Sequence, residues 1–145
     1  MTATNMFQPL QLKPMEPIMG WDEFLEDGEG YLKTAVGGHE RRQNIFSAEI
    51  LYNIIAMAIE KFVMAALMRH GALPYNHTMG DLVEAMDETF PRAMGDIREG
   101  LIELDKYQEI CDIDTYNISP PSMEAIPGML ELADNLRSLV VNKLL

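Results

Sequence analysis

Thiols, cations and signature loops are scarce in this chain, and each shortage excludes something. Among 145 residues there is one cysteine, Cys111. A lone cysteine forms no intrachain disulfide and no cysteine metal site, which suits a reducing, cytoplasmic setting. Cys111 falls at an apolar helical position, where a small buried core residue is expected. Lys and Arg number 11 against 23 Asp and Glu, a formal charge of −12. Such a surface opposes non-specific attraction to nucleic-acid phosphates or anionic membranes. Lys33, Arg41 and Arg42 lie near one another in sequence, but a solvated helix end accounts for them.

Recognisable chemistry is equally thin. The sequence has no glycine-rich phosphate loop and no nucleophile elbow. His39, His70 and His77 do not share a helix at i, i+4 spacing, so no metal site and no cofactor is expected. No charged-then-apolar leader pattern opens the chain. The longest near-apolar run, Ile54 to Met68, is interrupted by Glu60 and Lys61. It is too short and too charged at its middle for a span of roughly 20 apolar residues. No strand pattern, internal repeat or low-complexity tract is visible.

What is present is apolar helix. With 48% apolar residues the chain buries a core without staples, and one domain is expected from its length. Residues 1–19 carry Pro9, Pro14 and Pro17 and little charge, which predicts an extended arm. Met6, Phe7, Leu10, Leu12 and Met15 are too apolar for a free tail, so the arm is expected to lie on the body or on a partner subunit. Residues 20–145 form the domain. A first helix is expected over Gly20 to Val36, ended by Gly37-Gly38.

The centre is the stretch from Ile45 to Gly71. Leu51, Ile54, Ile55, Ala58, Ile59, Phe62, Val63, Ala66 and Leu67 repeat at helical period. Phe46, Ile50, Met57, Met64 and Met68 cover much of the remaining surface. A helix apolar on nearly every side is buried on nearly every side. The second cover is either another subunit, predicting a homodimer, or the arm and first helix. Beyond Gly71 and Pro74, Thr78 opens a helix over about 79 to 89 with capping-box spacing to Asp81, and Pro91 ends it. A fourth helix is expected over about 92 to 111, a loop over 112 to 121, and a last helix over about 122 to 144. Pro127 either kinks this helix or begins its main part. The fold class is therefore all-α, an antiparallel up-down bundle of four to five helices with an extended N-terminal arm.

Five residues stand out as ligand-binding candidates: Lys61, Arg69, His70, His77 and Tyr116. Histidine titrates near neutrality and arginine grips phosphate through a bidentate fork. Arg69, His70 and His77 flank the tight loop after the central helix, where they could serve a nucleotide or cleave RNA. The plainer role is helix capping and loop bracing. Lys61, beside Glu60, either contacts a ligand or snorkels in an ion pair. Tyr107 and Tyr116 bracket the later loop and suit either base stacking or core-edge packing.

The segment AIEKFVMAALMRHG (Ala58 to Gly71), followed by Pro74, His77-Thr78 and Leu82, resembles the HEPN superfamily, named for higher eukaryotes and prokaryotes nucleotide-binding. The later helices, with Tyr107, Tyr116 and the helix after Ser122, are similar in order, so the resemblance covers roughly 46 to 145. It implies an antiparallel helical bundle that commonly dimerises and that often partners a minimal nucleotidyltransferase. Some members are metal-independent ribonucleases, toxins or defence proteins, marked by an Arg followed, after four to six intervening residues, by a His near the final helices. This chain departs from that mark. No His follows residue 77, and Arg69 and His77 have seven residues between them. Thr115-Tyr116 stands where nucleotidyltransferase-associated members often carry Arg-Tyr. The expectation is a non-catalytic protein binding a nucleotide or a protein partner as a homodimer. The alternatives are a divergent ribonuclease built on Arg69, His70 and His77 across the dimer, and a structural helical subunit.

Overall fold

The structure, a computed structural model, describes residues 16–107 and 120–145. Over these the protein is all-α, without a strand. It comprises α1 (Trp21–Arg41), α2 (Ala48–Arg69), α3 (Met79–Thr89), α4 (Ile97–Glu103) and α5 (Ile126–Leu139). A 3-10 turn, Leu104–Tyr107, extends α4, and another, Met123–Ala125, leads into α5. A π-helical turn, Val140–Leu144, prolongs α5. The central helix predicted from its apolar stripe is α2, which packs on α1, α3 and α5. Leu51, Ile55, Ile59, Phe62, Val63 and Leu67 of α2 are almost wholly buried at the core of the protein.

The first helix does not stop at Gly37-Gly38 but runs on to Arg41. Its buried stripe is Gly28, Leu32, Ala35 and Gly38, and α2 lies along it. A β-carbon on Gly28 would sit 2.9 Å from the Phe62 ring, and one on Gly38 would sit 2.9 Å from the Phe46 ring. Both glycines are sites of close approach, so the packing they allow outweighs the roughly 1 kcal/mol that each costs a helix. Gly20 lies against Met68, Gly28 against Phe62 and Gly38 against Leu51, so α1 and α2 run antiparallel.

The remaining boundaries follow local chemistry. Ser47 caps α2, its hydroxyl accepting from the Ile50 amide at 3.2 Å, while the Ile45 and Phe46 amides bond back to Arg42. Helix α3 spans 79–89 as predicted, with the Thr78 hydroxyl accepting from the Asp81 amide at 3.1 Å. The Asp81 carboxylate accepts a hydrogen bond from the Thr78 hydroxyl at 2.6 Å instead of from a backbone amide. The fourth helix begins later than predicted, because the chain turns through left-handed conformations at Arg92 (φ 62°) and Gly95 (φ 53°) first. The end predicted for it, with Cys111, lies outside the described residues, as does Tyr116. Pro127 sits in the first turn of α5, where its missing donor costs nothing.

Most of the predicted N-terminal arm also lies outside the described residues. Its last part touches the body: the Ile18 amide donates to the Met68 carbonyl at 2.7 Å. That bears on the methionine face of α2. Met64 and Met68 are only 6% and 5% exposed, covered by the chain itself, whereas Ile50 and Met57 are 45% and 41% exposed. By length and composition α2 as a whole is apolar enough to cross a bilayer, although 67% of its most apolar window is buried within the fold.

Candidate functional site

The candidate site lies where α2 ends and the chain doubles back to α3. Gly71 leaves the helix with φ 75°, and its amide bonds to Met68. Within a few residues the chain presents two candidate ligand-binding residues, Arg69 and His70, and then, past Pro74, a third, His77. Their packing decides whether they converge.

Lys61 and Arg69 lie two turns apart on the side of α2 that meets the start of α1. The Lys61 ammonium stands 4.2 Å from the centroid of the Phe24 ring and 3.6 Å from Asp27 Oδ2. The Arg69 guanidinium lies over Trp21, 5.6 Å from the ring centroid. Cation–π contacts of this kind contribute about 0.5–1 kcal/mol at exposed sites. Lys61 therefore snorkels across apolar surface to a carboxylate of another helix, not to its neighbour Glu60.

His70 turns elsewhere. Its Nε2 is 2.7 Å from the Leu144 carbonyl, and its ring meets Phe90 edge-on with centroids 4.9 Å apart. A carbonyl only accepts, so this contact places a proton on Nε2. His77 reaches back along α2: its Nδ1 is 2.5 Å from Glu60 Oε1. Both side chains remain open to water, at 56% and 36%. A pair this open holds the loop in place while adding at most about 1 kcal/mol.

Thus the four described candidates face three different neighbours. Lys61 and Arg69 hold α1, His70 holds the end of the chain, and His77 holds the middle of α2. No two of them bind the same group. The structure does not gather Arg69, His70 and His77 into one constellation, and no three metal-ligating side chains cluster among the described residues.

Three concavities adjoin these elements. His77 and Glu60 line one of about 260 Å³ with Asn53, Ala56, Met57 and Met79. On α3, Asp81, Glu84 and Glu88 line a second of about 350 Å³ with Leu73 and Tyr75 of the loop. Three carboxylates make that cleft hostile to an anion. A third, of about 360 Å³, lies between α4 with its 3-10 extension and α5, lined by Leu104, Tyr107, Met129 and Leu132 among others. Tyr107 packs at the core edge, 5.1 Å from Tyr52 in an edge-on contact, and the Tyr52 hydroxyl donates to the Leu104 carbonyl at 3.1 Å.

One residue of consequence is invisible to sequence reasoning. The Asp105 carboxylate accepts from the Met79 and Gly80 amides, each at 2.9 Å, and so completes the N-terminus of α3 from a distant turn. Nothing near Asp105 in sequence announces that partner. Arg98 is similarly engaged, donating to Asp87 at 2.9 Å; that carboxylate raises the guanidinium pKa, so Arg98 stays charged throughout the accessible range.

No protein-family model, no curated protein and no solved structure matches this chain.

Proposed function

We propose that this chain is a non-catalytic, HEPN-like helical protein, an up-down antiparallel bundle that works by binding another protein and does so as a homodimer. One observation carries this reading. The candidate side chains that would grip a phosphate, Lys61, Arg69, His70 and His77, each hold a group of their own chain, while Ile50 and Met57 on the central helix stand open. Exposed apolar side chains on a strongly acidic surface favour a protein partner over an anionic ligand. The resemblance of residues 46–145 to HEPN proteins makes a minimal nucleotidyltransferase the first partner to try.

The test has three arms. Light scattering at micromolar concentration should give twice the 16.4 kDa mass of one chain. A mass near that of one chain overturns the dimer. Thermal-shift measurements with ATP, GTP and their monophosphates should show no change. A nucleotide bound at 100 times its dissociation constant would add about 2.7 kcal/mol and reassign the function to nucleotide binding. RNA incubated with the pure protein in EDTA should remain intact. Cleavage that disappears with His77→Ala would reassign the protein to the metal-independent ribonucleases.

A further inference from the structure

Between Gly71 and α3 two large apolar side chains are held out into water. Leu73 is 60% exposed and Tyr75 95% exposed, with Pro74 between them. A single exposed apolar side chain is ordinary, but these two share one wall of the cleft of about 350 Å³. The facing wall is α3, which contributes Asp81, Glu84 and Glu88. Their spacings of three and four place all three on one face of the helix.

The charges of that face are unequally satisfied. Asp81 lies in the first turn of α3, where the helix dipole favours an anion, and it accepts from the Thr78 hydroxyl. Glu84 and Glu88 are exposed, and neither has a hydrogen-bond or ion-pair partner among the described residues. They stand four residues apart, where like charges on a helix repel. Glu88 also falls in the last turn, at the negative pole of α3, and no basic residue lies in that turn. Arg98 reaches α3 but pairs with Asp87 instead. A cation from outside the chain therefore relieves a repulsion that the fold leaves in place.

The apolar wall narrows the kind of cation. A small inorganic ion would meet the carboxylates and leave Leu73 and Tyr75 in water. An arginine or lysine side chain uses both walls, its methylenes lying on Leu73 and Tyr75 while its head meets Glu84 and Glu88. The Tyr75 ring adds cation–π attraction. The charge of −12 steers a basic segment toward this surface and repels an acidic one. Resting on the reading of this chain as a protein-binding one, we infer that the cleft between residues 73–75 and α3 docks a basic segment of a partner protein.

The experiment uses the full chain and a fluorescein-labelled peptide of Leu-Arg-Leu-Ala repeats, with a Glu-for-Arg peptide as control. Fluorescence anisotropy should show the Arg peptide binding and the Glu peptide not. An acidic chain attracts any cationic peptide, so variants of equal charge separate the cleft from the net charge. Glu84→Gln with Glu88→Gln should weaken binding about tenfold, whereas Glu23→Gln with Glu26→Gln, on the exposed side of α1, should leave it nearly unchanged. Tyr75→Ser, which alters no charge, should weaken binding as well. Equal losses for the two Gln pairs, no effect of Tyr75→Ser, or no binding of the Arg peptide overturns the inference and leaves the protein-binding reading standing. A thermal shift with a nucleotide, in the panel above, overturns that reading itself.

Discussion

His70 Nε2 lies 2.7 Å from the carbonyl oxygen of Leu144, joining the end of the central helix to the last turn of the chain. The contact gives a residue that looks catalytic in sequence a mechanical role. It also closes the bundle, since Leu144 and Val140 of the π-helical turn are buried. His70→Ala should cost about 1 kcal/mol, the net worth of one hydrogen bond, and lower Tm by roughly 2–4 °C. His70→Gln, which keeps a donor, should recover part of the loss. Hydrogen exchange should show the 140–144 amides deprotected in His70→Ala; unchanged protection there would contradict the tie.

Two substitutions of the same kind, two residues apart, should act in opposite directions. Gly30→Ala meets nothing within 4 Å and should stabilise α1 by about 0.5–1 kcal/mol. Gly28→Ala places its methyl 2.9 Å from the fully buried Phe62 ring. Overpacking of that kind costs about 1–3 kcal/mol and outweighs the propensity gain. Urea titration of both variants checks the pair, and equal signs would refute the close-approach role of Gly28.

Asp105→Ala removes the acceptor of the Met79 and Gly80 amides. The expected loss is about 1–3 kcal/mol, since two donors at a helix N-terminus lose a charged partner. Asp105→Asn should fall between the two, because its amide retains one oxygen. Exchange rates of the Met79 and Gly80 amides supply the local readout; slow exchange in Asp105→Ala would mean that the cap is supplied otherwise.

Salt should tighten the proposed homodimer. Two chains of charge −12 that pair as the proposed homodimer are opposed by long-range repulsion. Raising ionic strength shortens the screening length from about 10 Å at 0.1 M to about 3 Å at 1 M. Sedimentation equilibrium at low and high NaCl should show the dissociation constant falling with salt. A rise would indicate an interface held by ion pairs.

How much of this was legible depended on how far away the deciding partner lay. The bounds of α3 follow from Thr78 and Pro91, residues that act on their own neighbours, and prediction and structure agree there. The end of α1 was not legible, because a glycine pair has the same letters whether it terminates a helix or admits a ring. Phe46 and Leu51, both on the far side of the turn, lie against Gly38 and decide between those outcomes. The late start of α4 rests on a left-handed Arg92, a conformation without a sequence signature. Of the candidate residues, Lys61, Arg69, His70 and His77 stand out in sequence only by type and position. Only the structure supplied their partners, and those partners disperse them. Tyr116 lies outside the described residues.

The two notched glycines of α1 have a consequence for folding. A helix as uniformly apolar as α2 offers α1 many greasy alignments of similar energy, displaced by a turn in either direction. Phe62 and Phe46 act as two teeth, and Gly28 and Gly38 as the two slots cut for them. Any displaced alignment drives both rings into side chains or backbone at once, so the competing traps rise in energy together. The glycines weaken the helix that carries them and, in exchange, leave the hairpin a single low-energy way to close.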